Sequence, residues 1–196
     1  MTKFRDLTRA DIMPMERYER ERREHRQRVS QIKRNRRVEV GPHATFYFEN
    51  FDTMWHQVHE MLAVERGGEA QITDELEAYN PLIPKGNELV ATVMFEIEDP
   101  VQREKLLRQL GGAEHKMYLA FAGEKITGLA DPTRENTSPE GKASSVQFLR
   151  FPFTAAQKAK FKAPGAQIVA GIEHANYGHM AVLPEATRQA LAEDLP

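Results

Sequence analysis

Apolar positions along this chain alternate between two periods. Met15, Tyr18, Arg22, His25, Val29 and Ile32 recur at spacings of three and four, which predicts one stripe on a long helix from about Pro14 to Arg34. The stripe is apolar at both ends and polar in the middle. Arg22 and His25 are therefore expected to point toward whatever the helix packs on, with the arginine stem buried at the rim and its head wet. Upstream, Thr8-Arg9-Ala10-Asp11 can open a short turn, Thr8 capping and Asp11 returning a carboxylate to the orphan amides. After the long helix the period falls to two. Val38, Val40, Phe46 and Phe48 share one alternate face of a strand from Val38 to Phe48, interrupted at Gly41-Pro42.

A helix is expected from an Asp52 cap to about Glu65, burying Met54, Trp55, Val58, Met61 and Leu62 and ending at Gly67-Gly68. A short helix starts at Thr73-Asp74-Glu75 and stops at Asn80-Pro81. Glu88 to Glu98 gives the clearest strand signal, with Leu89, Ala91, Val93, Phe95 and Ile97 on one face. Asp99-Pro100 caps and starts the next helix, which ends at Gly111-Gly112. Lys116–Phe121 and Lys125–Ala130 read as a hairpin, Asp131–Ala143 as a long polar loop, and Ser145–Phe151 as a strand. Thr154 caps a short helix to Phe161. Gln167–Glu173 and Met180–Leu183 are strands, and Pro184 starts a last helix that runs to about Glu193. Short turns between strands, with helices interspersed and no regular βαβ alternation, predict an α+β fold: a mainly antiparallel sheet with packed helices and a long basic N-terminal helix. Residues 1–37 read as a basic helical arm and 38–196 as a single α+β domain.

Charge changes this picture more than bulk composition does. Residues 3–37 carry 13 Lys/Arg against 6 Asp/Glu, and the remainder carries 14 against 23, so a formal net charge of −2 hides a basic arm on an acidic body. Such an arm packs on its own body, on a twin, or on a polyanion. Glu19–Arg23 and Glu24–Arg28 have the i, i+4 spacing for self-pairing, so a solvated, self-paired helix is favoured and nucleic acid is not the expected partner. The run Lys33-Arg34-Asn35-Arg36-Arg37 is the part of residues 17–37 that most invites a nucleic-acid test. The polar-centred stripe is also compatible with a helix-paired homodimer. No apolar run reaches the length of a membrane span. The N-terminus has no apolar h-region, which argues for a cytoplasmic location.

Cysteine is absent. That removes thiol nucleophiles, disulfides, thiolate zinc sites and cysteine-ligated clusters, and leaves any metal to His, Asp, Glu or Tyr. No nucleophile-elbow, P-loop or dinucleotide-binding fingerprint is present. Attention falls on Glu173-His174-Ala175-Asn176-Tyr177-Gly178-His179. If residues 175–178 form the loop of a hairpin, His174 and His179 face each other across it and can share a transition metal, a proton or an anion. Tyr177 sits at the turn, and Glu49 and His43 are weaker candidates for further ligands. The plainer reading is an exposed turn with two ordinary histidines. His56 and His59 lie at i, i+3 on the helix from Asp52, without the zincin spacing, and read as solvated side chains.

The chain resembles the bacterial domain-of-unknown-function family 3501. The residues that carry the resemblance begin with Leu7-Thr8-Arg9-Ala10-Asp11-Ile12 and the basic run into Val40-Gly41-Pro42. They continue with Phe48-Glu49-Asn50, Thr53, Glu60-Met61 and Tyr79-Asn80-Pro81-Leu82-Ile83-Pro84. At the C-terminal end they include Leu149-Arg150-Phe151-Pro152-Phe153, His174, Tyr177 and His179. The resemblance spans most of the chain and implies a bacterial, stand-alone domain without implying an activity. It further implies gene neighbours of the rubrerythrin and iron–sulfur type, and hence an accessory role in redox or peroxide defence with such proteins as partners. His56 and His59 depart from the ordinary residues at these positions in similar sequences, which weakens them as ligands. The expectation is a binding or accessory protein, metal-dependent if His174 and His179 hold a metal. The alternatives are a metal-assisted hydrolase or oxidoreductase using the same pair, and a nucleic-acid binder working through the basic helix.

Overall fold

A computed structural model describes residues 3–196. The long helix, α1 (Met15–Arg34), buries Tyr18 and Val29, as its stripe requires. The chain then folds back on itself. β1 (Arg37–Val40) and β2 (Ala44–Phe48) pair antiparallel around Gly41-Pro42-His43, so the single interrupted strand expected from Val38 to Phe48 is a hairpin. Its apolar face survives, because Val38 lies opposite Phe46 and the two share one side of the sheet. Gly41 makes the reversal possible with φ of 72°, a left-handed conformation that side chains disfavour.

α2 (Phe51–Glu65) is capped by Asn50, whose side chain accepts from the Thr53 amide, two positions ahead of the expected Asp52 cap. α3 (Gly68–Tyr79) begins ahead of the start expected at Thr73-Asp74-Glu75, with Glu69 in its first turn. β3 (Glu88–Phe95), α4 (Pro100–Gln109), β4 (Met117–Phe121) and β5 (Glu124–Thr127) follow, with Asp99 capping α4 as predicted. β6 (Leu129–Ala130) leaves β5 to join another sheet. β7 (Val146–Pro152), α5 (Ala155–Lys162), β8 (Val169–His174), β9 (Tyr177–Val182) and α6 (Glu185–Ala192) complete the order.

The strands form two antiparallel sheets, ordered β1-β2-β3-β7-β6 and β5-β4-β8-β9, so the α+β class holds with two sheets rather than one. Their inner faces share one core. Phe46, Phe48, Leu89, Val93 and Phe151 from the first sheet meet Met117, Leu119, Ile126, Ala170 and Ile172 from the second. α1, α2 and α3 build a smaller core of their own on the opposite face of the first sheet, where Val58, Leu62 and Ile72 meet Val90. The acidic C-terminal segment is tied in by Asp194, which pairs with buried Arg36. Arg36 also donates to the carbonyls of Phe48 and Glu49.

Candidate functional site

The β8–β9 hairpin has a tighter turn than the histidine spacing suggested. Its loop is Ala175-Asn176 alone, and the register pairs His174 with Tyr177 and His179 with Ile172. The two histidines share a face but stand diagonally, with Tyr177 directly opposite His174. This corrects the facing pair inferred from sequence: two residues suffice for the turn, so Tyr177 and Gly178 belong to the strand. The ring of His174 is occupied on both sides. Nδ1 accepts from the Asn176 amide at 3.2 Å, and Nε2 lies 3.2 Å from the Gly111 carbonyl, to which it donates. Asn176 Nδ2 donates to the Gln109 carbonyl at 2.9 Å. The tip therefore satisfies carbonyls at the C-terminal end of α4, groups that a helix cannot satisfy within itself.

Tyr177 is equally engaged. Its hydroxyl donates to the Val40 carbonyl at 2.8 Å and accepts from the amides of His43 and Ala44, both at 2.9 Å. Burial raises its pKa, so the phenol keeps the proton that it donates. The His179 ring lies 4.5 Å from the Tyr177 ring and covers Gly41, where a Cβ would approach its Cγ to 2.5 Å. His43 stands 6.4 Å from Tyr177, ring to ring, and borders a cleft of about 340 Å³ with Gln102, Lys105 and Gln109. His43, Tyr177 and His179 thus come together. Glu49 does not join them. It sits past the far end of β2, roughly 16 Å of strand away, where the hydroxyls of Thr53 and Thr92 bind its carboxylate at 2.6 and 2.8 Å. Among the described residues, no group of three or more His, Cys, Asp or Glu is arranged to hold a metal ion.

The densest polar cluster lies between α1 and α2. His59 is 0% exposed, contrary to the solvated flank expected for it. α2 is covered by α1 on one side and the sheet on the other, so its buried arc is wider than a single stripe. The imidazole donates through Nδ1 to the Trp55 carbonyl at 2.7 Å and accepts the Met13 amide on Nε2 at 3.1 Å. Burial pushes its pKa down to about 4, so it is neutral near pH 7. The Trp55 ring lies 4.0 Å from it, tilted by 37°, Tyr18 lies 4.8 Å away, and His25 stacks on Tyr18 at 5.5 Å. Glu60 collects the Tyr18 hydroxyl and two bonds from Arg22, all at 2.8 Å. The Arg22 contact holds the Glu60 carboxyl down to about 2. Glu60 and Tyr18 carry no recognisable site motif in the sequence. The polar middle of the α1 stripe was the available signal, since Arg22 on a packing face demands an acid on the facing helix.

An open groove of about 600 Å³ adjoins this cluster. Ile12, Met13, Met15, Leu62, Ala63 and Ile72 give it an apolar lining. Two ion pairs connect its walls: Arg9 grips Glu69 through two nitrogens, and Arg66 lies 4.0 Å from Glu19. Arg66 closes α2 in the left-handed region with φ of 54°, immediately before Gly67 and Gly68. That corner is the joint between the α2 and α3 walls. No sequence motif marks this groove, because its lining comes from three separate segments.

Fold and site together define an α+β protein with two antiparallel sheets and a helical layer that carries an apolar groove. The chain belongs to the family described as "Protein of unknown function (DUF3501)", whose model matches residues 6–195. It is similar to a crystal structure of a novel protein of unknown function from Burkholderia pseudomallei, with 37% sequence identity and a TM-score of 0.89. That similarity covers 97% of this chain and 99% of the other. No significant match is found among curated proteins. No helix is long and apolar enough to cross a membrane among the described residues.

Proposed function

We propose that the chain is an accessory binding module whose ligand site is the groove between the start of α1, the end of α2 and the start of α3. The observation that carries this reading is the apolar cavity of about 600 Å³ spanned by two exposed ion pairs. Its size falls in the range of small-molecule sites, about 300–1,000 Å³. Methionine walls adapt to irregular apolar shapes. The expected ligand has an apolar body and an anionic end. Exposed ion pairs contribute only about 0–1 kcal/mol each, so Arg9 or Arg66 can exchange its glutamate for a ligand carboxylate at little cost. In this reading a redox role resides in a partner protein of the rubrerythrin or iron–sulfur type, because the chain has no cysteine to ligate a cluster.

Trp55 is the only tryptophan, and its ring neighbour His59 accepts the amide of Met13 at the groove wall, so its fluorescence reports on occupancy. Titration with decanoate is expected to give a saturable change in Trp55 emission. Ala63→Phe, which fills the groove, is expected to weaken binding at least tenfold, and decylammonium to bind more weakly than decanoate. Absence of both an emission change and a calorimetric signal with decanoate would sink the reading.

A further inference from the structure

We propose that one flank of α1, carrying Arg23, Arg26, Lys33 and Arg34, binds the phosphate backbone of a double-stranded nucleic acid. Pairing within the helix was the reason to expect otherwise, and that pairing differs from the expected pattern. Glu19 lies near Arg66 rather than Arg23, and Arg28 reaches across to Asp52 of α2 at 3.2 Å rather than to Glu24. Arg17–Glu21 is the one Arg–Glu bridge within α1 among the described residues. Neither Arg23, Arg26, Lys33 nor Arg34 has an acidic partner there.

Helical geometry explains why. Neighbours on a helix surface lie three and four positions apart. For Arg26 those positions are Arg22, Arg23, Val29 and Ser30. For Arg34 the preceding ones are Ser30 and Gln31. Glu21 and Glu24 project on the other side of the helix. With about 1.5 Å of rise per residue, Arg23 to Arg34 forms a straight row of roughly 16 Å. An open cleft of about 700 Å³ runs along the flank beside Arg22, Arg23, Arg26, Gln27 and Ser30, with Glu19, which faces Arg66, as the one acid on its lining. Lys33 and Arg26 add to the charge around His56 on α2, which burial first, and then these two cations, hold below its usual pKa against the pull of Glu60.

The composition of the flank selects the polyanion. Arg23, Arg26 and Arg34 are exposed, and guanidinium forks match phosphate oxygens. Gln27 and Ser30 between them add uncharged donors. The flank offers no large apolar side chain to insert into lipid and no aromatic ring to stack on unpaired bases. A straight cationic row suits a rod of regularly spaced phosphates. The acidic remainder of the chain repels the same rod elsewhere and confines contact to this flank.

The test is fluorescence anisotropy with labelled duplex DNA and duplex RNA across a salt series. Contact with four phosphates predicts that log affinity falls with log salt at a slope of about −3.6. Arg26→Glu with Arg34→Glu, both exposed and unpaired, is expected to weaken binding at least tenfold. The matched reversal Arg17→Glu with Arg28→Glu, on the other side of the helix, is expected to change it less than threefold. Circular dichroism verifies that each variant is folded. Absence of duplex binding at low salt overturns the proposal, as does equal weakening by the two reversals. It is likewise overturned if the Arg26/Arg34 reversal instead dissociates a dimer in sedimentation, or if anionic vesicles bind where duplexes do not.

Discussion

Tyr177 concentrates three hydrogen bonds on one buried oxygen, one donated and two accepted. Tyr177→Phe keeps the ring and strands all three backbone groups. The expected loss is at least about 3 kcal/mol, measured by urea denaturation, since each of the three unsatisfied groups costs about 1–3 kcal/mol. His59 makes a second residue-scale prediction. Its folded pKa, about 4, lies below the ordinary 6.5, so between those values the unfolded chain takes up a proton that the folded chain refuses. Stability is therefore complete above pH 6.5 and falls as pH drops toward 4, by up to about 3 kcal/mol. Glu60, held near 2, loses its contribution only below its ordinary 4.5, so the interval from pH 6.5 to 5 isolates the imidazoles. Denaturation midpoints across that interval should slope less in His59→Leu than in the parent. The burial of His59 was not legible in the sequence because a flank position becomes interior only when a second helix covers it.

At the scale of elements, α1 was the most legible part. Its stripe forecast Tyr18 and Val29 inside and Arg22 turned toward the packing partner. The β8–β9 strands were legible too, yet their register was not. Register follows from loop length, and Ala-Asn-Tyr-Gly reads equally as a four-residue loop or as two loop residues and two of strand. The β1–β2 hairpin was hidden for a related reason, since apolar alternation continues through the turn. Gly41 gives a direct test of that turn. Gly41→Ala must bear a φ of 72° and a Cβ at 2.5 Å from His179. The expected cost is about 1–3 kcal/mol in thermal denaturation, and His179→Ala should recover part of it by removing the clash but not the backbone strain.

Across the whole molecule, Arg36 and Asp194 join the α1–β1 junction to the C-terminal segment through the only ion pair with both side chains deeply buried among the described residues. Burial raises the Asp194 carboxyl against the pull of Arg36. Asp194→Asn leaves a buried guanidinium with carbonyls alone for partners. A loss of about 3–5 kcal/mol is expected by chemical denaturation, the range for breaking one side of a buried pair. No local pattern could announce a contact between residues so far apart in the chain. The groove shares this property, whereas the α+β class was legible because it depends on local alternation and turn chemistry alone.

The β8–β9 tip also bears on where foreign sequence can be grafted. Ala175-Asn176 looks like a free loop, but its neighbours hold the end of α4 and the β1–β2 turn together. A peptide tag inserted between Ala175 and Asn176 should disturb three elements at once. The Ala122-Gly123 turn, with open space around Gly123, is the better attachment point. Comparing the soluble yield and melting temperature of the two insertions would register the difference.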